Sequence, residues 1–224
     1  GGFGLDAQWS DDLHHSLHAV LTGERQGYYC DFGGFEQLLK ALREGFVYDG
    51  QYSQYRKRRH GSSSRSTPSH RLVVFAQNHD QVGNRMHGDR LSRLVPFEAL
   101  KLAAGVILLS PNLPLIFMGE EYGETAPFPY FVSHSDPALV DAVRRGRRAE
   151  FASFGWEDHP PDPQAEETFR SARLDPEQRQ APGPRRHLWE FHRRLIALRR
   201  DNPVFASSDA SHLEVSRVGS RRIG

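Results

Sequence analysis

The chain has 224 residues, 38% of them hydrophobic and 25% charged, with a formal net charge of +1. That length allows one large domain or one and a half ordinary ones, and the near-zero charge excludes a global pull toward nucleic acid or acidic surfaces. No apolar run approaches the roughly 18 residues of a membrane span, and no signal-peptide pattern opens the chain. The one cysteine, Cys30, excludes an internal disulfide and favours a reducing, cytoplasmic location. The absence of an initiator Met and the stop inside an Arg/Gly-rich run read as cut ends of something longer.

In chain order, Leu5 to Trp9 reads as a short strand ended by Ser10-Asp11-Asp12, which are good N-cap residues for a helix from Leu13 to Leu21 closed by Gly23. Phe35, Leu38, Leu39 and Leu42 have helical spacing after Gly33-Gly34, and Gly45 ends that helix. Residues 49–70 are polar, contain Arg56-Lys57-Arg58-Arg59 and a Ser-rich piece, and read as a long surface loop. A fully apolar strand, 72–76, follows. A helix from about Phe97 to Leu109 then leads through Ser110-Pro111-Asn112 into a strand from Leu115 to Met118. Strand, helix, strand, helix, strand is the order of a parallel sheet with covering helices.

Beyond residue 123 the chain turns rich in Pro, Asp, Glu and Arg, with a helix predicted from Pro137 to Phe151. Leu188, Phe191, Leu195 and Leu198 form one stripe of an amphipathic helix that Asn202-Pro203 stops. His212 to Val218 reads as a strand. The predicted fold class is α/β. Three strands cannot close a barrel of eight, so residues 1–201 are expected to form the C-terminal part of a (β/α)8 TIM barrel, about its last three β/α units, and residues 202–224 the start of a truncated C-terminal β domain.

The run Leu72-Val73-Val74-Phe75-Ala76-Gln77-Asn78-His79-Asp80 carries an apolar strand straight into a loop that bears an imidazole and a carboxylate. Catalytic groups of an α/β barrel sit at that end of its strands. His79 and Asp80 can bracket a sugar ring, the histidine donating to one hydroxyl and the carboxylate favouring developing positive charge. The bland alternative, Asp80 capping a turn and His79 packing, weighs the same on the tripeptide alone. The buried run in front and Gln81-Val82-Gly83-Asn84 behind favour the functional reading.

Other candidates have structural alternatives. His14, His15 and His18 share a helix face and invite a metal site with Asp11 and Asp12, but a polar helix start pointing into a carbohydrate cleft is the better reading. Trp9, Tyr28 and Tyr29 are sugar-stacking platforms or core. Glu120 and Glu121, pointing to opposite sides of an extended chain, are read as one residue facing the cleft and one paired with Arg85 or Arg90. Arg56-Lys57-Arg58-Arg59-His60 is a solvated loop, and Cys30 a packed or idle thiol.

The run Phe75 to Arg85 resembles the fourth signature region of the α-amylase superfamily of glycoside hydrolases. Together with Gly4 to His15 and Phe117-Met118-Gly119-Glu120-Glu121-Tyr122-Gly123-Glu124, it is similar to the maltooligosyltrehalose trehalohydrolase family. That likeness extends to Tyr48-Asp49-Gly50-Gln51-Tyr52-Ser53 and to Phe191–Arg200. It implies a glycosidase that releases trehalose by hydrolysing the α-1,4 bond beside the terminal α-1,1-linked pair. Asp80 would be its third acidic residue, a transition-state stabiliser. His79, Gln81, Val82, Gly83 and Asn84 would line the substrate site, joined by Trp9, Asp11, Asp12, His14 and His15. The resemblance brings no metal or other cofactor. The implied partners are an α-glucan substrate and the missing N-terminal part of the chain's own barrel, with no nucleic acid and no membrane. A nucleophile and an acid/base carboxylate, on barrel strands upstream of residue 1, have no counterpart here, so the isolated chain is expected to be inactive. The near alternatives are a branching enzyme of the same superfamily and a non-catalytic carbohydrate-binding remnant.

Overall fold

A computed structural model describes residues 4–152, 159–210, 213–218 and 222–223. In chain order the elements begin with β1 (Gln8–Trp9), α1 (Asp11–Thr22), α2 (Phe35–Glu44), β2 (Asp49–Ser53), β3 (Arg58–Gly61) and β4 (Leu72–Val74). They continue with α3 (His79–Gly83), α4 (Leu91–Leu94), α5 (Phe97–Leu109) and β5 (Leu113–Pro114). Then come α6 (Pro137–Ala152), α7 (Glu166–Ser171), α8 (Pro184–Asp201), α9 (Pro203–Ala206), β6 (Arg217–Val218) and β7 (Arg222–Ile223). The chain divides into two compact units, one of residues 1–76, 98–116 and 190–224, the other of residues 77–97 and 117–189.

The first unit is built on a parallel sheet in the order β1-β4-β5. Gln8 lies opposite Leu72, and Val73 opposite Leu113. The pairing runs on past the strands: Ser10 N–H donates to Val73 C=O at 2.9 Å and Leu115 N–H to Val74 C=O at 2.8 Å. Leu72, Val74, Phe75 and Ala76 are all buried, as a strand covered on both faces requires. Leu13 and Leu17 of α1 and Leu38, Leu39 and Ala41 of α2 bury the apolar stripes of two packed helices. Gly23 ends α1 in the left-handed conformation at φ +79°, its N–H on Ala19 C=O, a place where a side chain would be strained. On α5, Ala104 and Leu108 pack with Leu195 and Phe191 of α8. Arg199 of α8 donates to the carbonyls of Leu108 (2.9 Å), Ser110 and Asn112 (2.7 Å), satisfying acceptors that the end of α5 leaves open.

The second unit is organised around two buried polar groups. Arg90, fully buried, donates through Nε to Ala126 C=O at 2.6 Å and through Nη1 to Met118 C=O at 2.8 Å, and lies 4.8 Å from the Phe117 ring centroid. Glu124 accepts from the N–H groups of Thr125, Ala126 and Asp175 at 2.7–2.9 Å and from the Tyr122 hydroxyl at 3.1 Å. Burial pushes the Glu124 carboxyl up, and these four donors pull it below its usual value on balance. Gly88, at φ +67°, lies so near the Phe128-Pro129 backbone that a Cβ would sit 2.2 Å from Pro129 N.

Several expectations need correction. Residues 49–70 contain an antiparallel hairpin, β2 and β3, not an unbroken loop. Polar side chains on both faces hide its alternation. A long-range group pins its turn: Asp31 accepts from Tyr48 Oη (2.8 Å), Ser53 Oγ (2.6 Å), Gln54 N–H (2.9 Å) and Tyr55 N–H (3.2 Å). The strand expected at Leu115–Met118 is Leu113–Pro114, earlier in the chain. The strand expected over Leu5–Trp9 is confined to Gln8–Trp9. Residues His79–Gly83 form a short helix, not a loop. The helix read as Leu188–Leu198 spans Pro184–Asp201, with Leu198 40% exposed at the end of its stripe. Near the C-terminus Arg217–Val218 pairs with Arg222–Ile223, while His212 lies outside the described residues. Cys30 is exposed, not packed. The helices at Phe35–Glu44, Phe97–Leu109 and Pro137–Ala152 agree with the expectation to within a residue. Among the described residues, no helix is long and apolar enough to cross a membrane.

Candidate active site

The chain leaves β4 through Phe75, Ala76, Gln77 and Asn78, all buried. Asn78 is extended and caps α3, its side-chain oxygen accepting from Gln81 N–H at 2.8 Å. This cap sets which residues face outward. Gln81, Val82 and Gly83 turn inward and are buried, whereas His79, Asp80 and Asn84 are exposed. Asp80 and Asn84, four residues apart, meet on one side: Asn84 Nδ2 donates to Asp80 Oδ1 at 2.8 Å.

Two side chains support this turn from within the same unit. Gln77 Oε1 accepts from Leu91 N–H at 2.9 Å, and the Gln77 side chain also bonds the Glu120 carboxylate. Glu120 sits in a 3-10 turn, Glu120–Tyr122, entered from Gly119 at φ +86° and left through Gly123 at φ +71°. Burial raises the Glu120 carboxyl to about 8, against partial relief from Gln77, the Phe117 backbone and the Arg90 charge. Its Oε2 is buried with no hydrogen-bond partner among the described residues. The extended geometry expected for the two glutamates is therefore replaced by a turn, and Arg90 spends its donors on carbonyls, not on a carboxylate. The second support is Arg147 of α6. Its Nη2 donates to Gly83 C=O at 3.0 Å and its Nη1 to Asn84 Oδ1 at 3.3 Å. Nη1 also bonds Glu150 Oε2 at 2.8 Å, and the guanidinium lies over the Tyr130 and Phe151 rings, 4.9 and 4.7 Å from their centroids.

The candidates of the first unit have different surroundings. Trp9 is 37% exposed, with its ring edge-on to Phe75 at 5.7 Å. Asp11 is half-buried at the start of α1. Asp12 is buried and accepts from Val47 N–H (2.8 Å) and Tyr48 N–H (2.9 Å); burial raises its carboxyl despite these donors. His14 is 1% exposed, its Nδ1 2.7 Å from Ala76 C=O and its Nε2 3.3 Å from Tyr29 Oη. His18 is 4% exposed, stacks on Tyr29 at 4.4 Å and meets Glu24 at 2.8 Å. His15, half-buried, lies among Tyr28 and Phe32 with centroids 4.8 and 4.9 Å away. The picture of His14 and Asp12 pointing into a cleft is thus corrected: both are interior braces, joining α1 to the end of β4 and to the start of β2. Among the described residues, no group of three or more His, Cys, Asp or Glu could hold a metal ion.

Gln77, Asn78, Glu120 and Arg147 were not singled out as supports by the sequence. Asn78 before a short helix has a visible capping signal. Arg147 has none, because its partner Asn84 is 63 residues away.

A parallel sheet with covering helices, and an exposed imidazole and carboxylate a few residues after one of its strands, are consistent with part of a (β/α) barrel. No family model matches the chain. Curated relatives do. The chain is 49% identical over 210 residues, 92% of its length, to malto-oligosyltrehalose trehalohydrolase of Arthrobacter ramosus, and 51% identical over 173 residues, 77% of its length, to that of Saccharolobus solfataricus. It spans about a third of those relatives, 36% and 30% respectively. A crystal structure from Salmonella typhimurium, carrying a provisional alpha-amylase name, superposes with a TM-score of 0.86 at 40% identity over 95% of this chain and 37% of that one. Along nearly its whole length the chain therefore resembles a stretch of malto-oligosyltrehalose trehalohydrolase and of that alpha-amylase-named structure.

Proposed function

We propose that the chain supplies the rear part of the catalytic barrel of a malto-oligosyltrehalose trehalohydrolase, together with the start of a following β domain at residues 202–224. In this reading Asp80 stabilises the transition state and His79 binds the same sugar. Glycoside cleavage passes through an oxocarbenium-like transition state. A carboxylate held beside that ring favours its developing positive charge, and an imidazole N–H fixes a ring hydroxyl. In the first unit, the exposed parts of Trp9, Asp11 and His15 are the candidate sugar contacts. Gln81, Val82 and Gly83 back the His79-Asp80 turn, and Asp12 and His14 brace the first unit. The nucleophile and the acid/base carboxylate, about 5–5.5 Å apart in a retaining enzyme, come from polypeptide that precedes this segment. The chain alone therefore does not turn over. The substrate is an α-glucan ending in trehalose, no cofactor takes part, and the location is cytoplasmic, in keeping with a lone thiol.

The observation that carries this reading is the exposed His79-Asp80 pair on the short helix that follows β4 after residues 75–78, in a chain 49% identical over 210 residues to a trehalohydrolase. The test is trehalose release from maltooligosyltrehalose by two samples: this chain alone, and a chimaera in which it replaces the matching segment of the Arthrobacter ramosus relative. The expected result is release by the chimaera only. Release by the isolated chain would refute the division of catalytic groups, and branched glucan as product would point to transglycosylation.

A further inference from the structure

Arg147 lies outside every motif that marks the family resemblance, yet its guanidinium reaches the turn that carries Asp80 at two points, Gly83 C=O and Asn84 Oδ1. We propose that Arg147 is a positioning residue for Asp80, acting through the side-chain amide of Asn84. The inference rests on Asp80 being the transition-state stabiliser.

Asn84 presents a carbonyl oxygen on one side and an NH2 group on the other, and the two ends are nearly equal in shape. With the oxygen toward Arg147, the NH2 group faces Asp80 Oδ1 at 2.8 Å. Turned over, the amide would set NH2 against a guanidinium and oxygen against a carboxylate, two repulsive contacts in place of two attractive ones. Arg147 thereby selects the orientation in which Asn84 donates to Asp80. It holds one carboxylate oxygen, while Oδ2 takes no hydrogen bond among the described residues. The Arg147 donors come from a fork that is itself fixed. Its side chain is only 11% exposed, it pairs with Glu150 Oε2 at 2.8 Å, and it lies over two aromatic rings. A fork immobilised by packing loses little freedom when it makes these bonds. The helix that carries it, α6, therefore bears on the reacting region without supplying a group that touches substrate.

The test uses the chimaera described above, with maltooligosyltrehalose as substrate. Arg147→Met keeps the aliphatic stem against the rings and removes the fork. It is expected to lower kcat about tenfold to a hundredfold with KM changed less than threefold, the mark of misplacement in the transition state. Asn84→Ala should lower kcat by a similar factor. The double variant Arg147→Met with Asn84→Ala should be no worse than the weaker single variant, because both act through one bond to Asp80. Arg147→Lys keeps the charge but cannot span both acceptors, and should recover only part of the loss. A kcat for Arg147→Met within twofold of the parent overturns the inference, as does a double variant whose losses multiply. If Arg147→Met lowers Tm by more than a few degrees, the comparison of Arg147→Lys with Asn84→Ala decides by the same criteria. Asp80→Asn separates the two layers: if it leaves activity intact, the reading of Asp80 itself fails; if it abolishes activity while Arg147→Met does not, only the positioning role fails.

Discussion

Two segments follow strands of the same sheet and carry the same residue types, yet they are used differently. After β1 come Asp12, His14 and His18; after β4 come His79, Asp80 and Asn84. The first group is interior: Asp12 holds the Val47-Tyr48 backbone, and His14 bonds Ala76 C=O within a stack of aromatic rings. The second group is exposed on and just after a short helix, with Asn84 donating to Asp80 Oδ1. Histidine and aspartate at a strand end thus carry no fixed meaning. What separates the two cases is burial: Asp12, His14 and His18 lie inside, and His79, Asp80 and Asn84 face outward.

The sharpest way to break that contrast is Asp80→Asn in the chimaera, which should cut kcat by about a thousandfold, the scale for removing a preorganised electrostatic group, and leave Tm unchanged. Next in size, His14→Ala should destabilise by about 3 kcal/mol, since it opens a cavity and strands the Ala76 carbonyl. His79→Ala, by contrast, should raise KM or lower kcat with no change in Tm. Thermal melts of the two histidine variants side by side check both halves, and equal Tm losses would erase the distinction. Asp12→Ala should cost about 2 kcal/mol by leaving two buried backbone N–H groups without an acceptor.

The last effect concerns Glu120 and depends on pH. Its carboxyl is raised from 4.5 to about 8 by burial. The folded state then binds a proton more tightly than the unfolded state, and the associated stability is complete below pH 4.5 and is lost as pH rises to about 8. Glu120→Gln, neutral at every pH, should raise Tm by a few degrees at pH 9 and leave it unchanged at pH 4. A pH-independent difference in Tm would contradict the buried neutral acid beneath Gln77.

What the sequence made legible follows from how local each signal is. The apolar run 72–76 announced a strand, which spans Leu72–Val74, and the helices at Phe35–Glu44 and Phe97–Leu109 were visible from their apolar residues and the Gly or Pro that flank them. The β2–β3 hairpin was not, because its register is fixed by Asp31 across more than twenty residues and its strands are polar on both faces. His79 and Asp80 stood out because they end an apolar run. The sorting of their neighbours into inward Val82 and outward Asn84 depends on the Asn78 cap turning a supposed loop into a helix. Burial of His14 and the reach of Arg147 are tertiary facts, and no spacing in the chain encodes them.

The most direct measurement is a crystal structure of the Asp80→Asn chimaera with maltooligosyltrehalose bound. The account predicts one glucose ring within hydrogen-bond distance of both residue 80 and His79, with Asn84 still oriented by Arg147 and His14 still on the Ala76 carbonyl. A productively bound chain whose reacting ring lies beyond contact of residue 80 would contradict it.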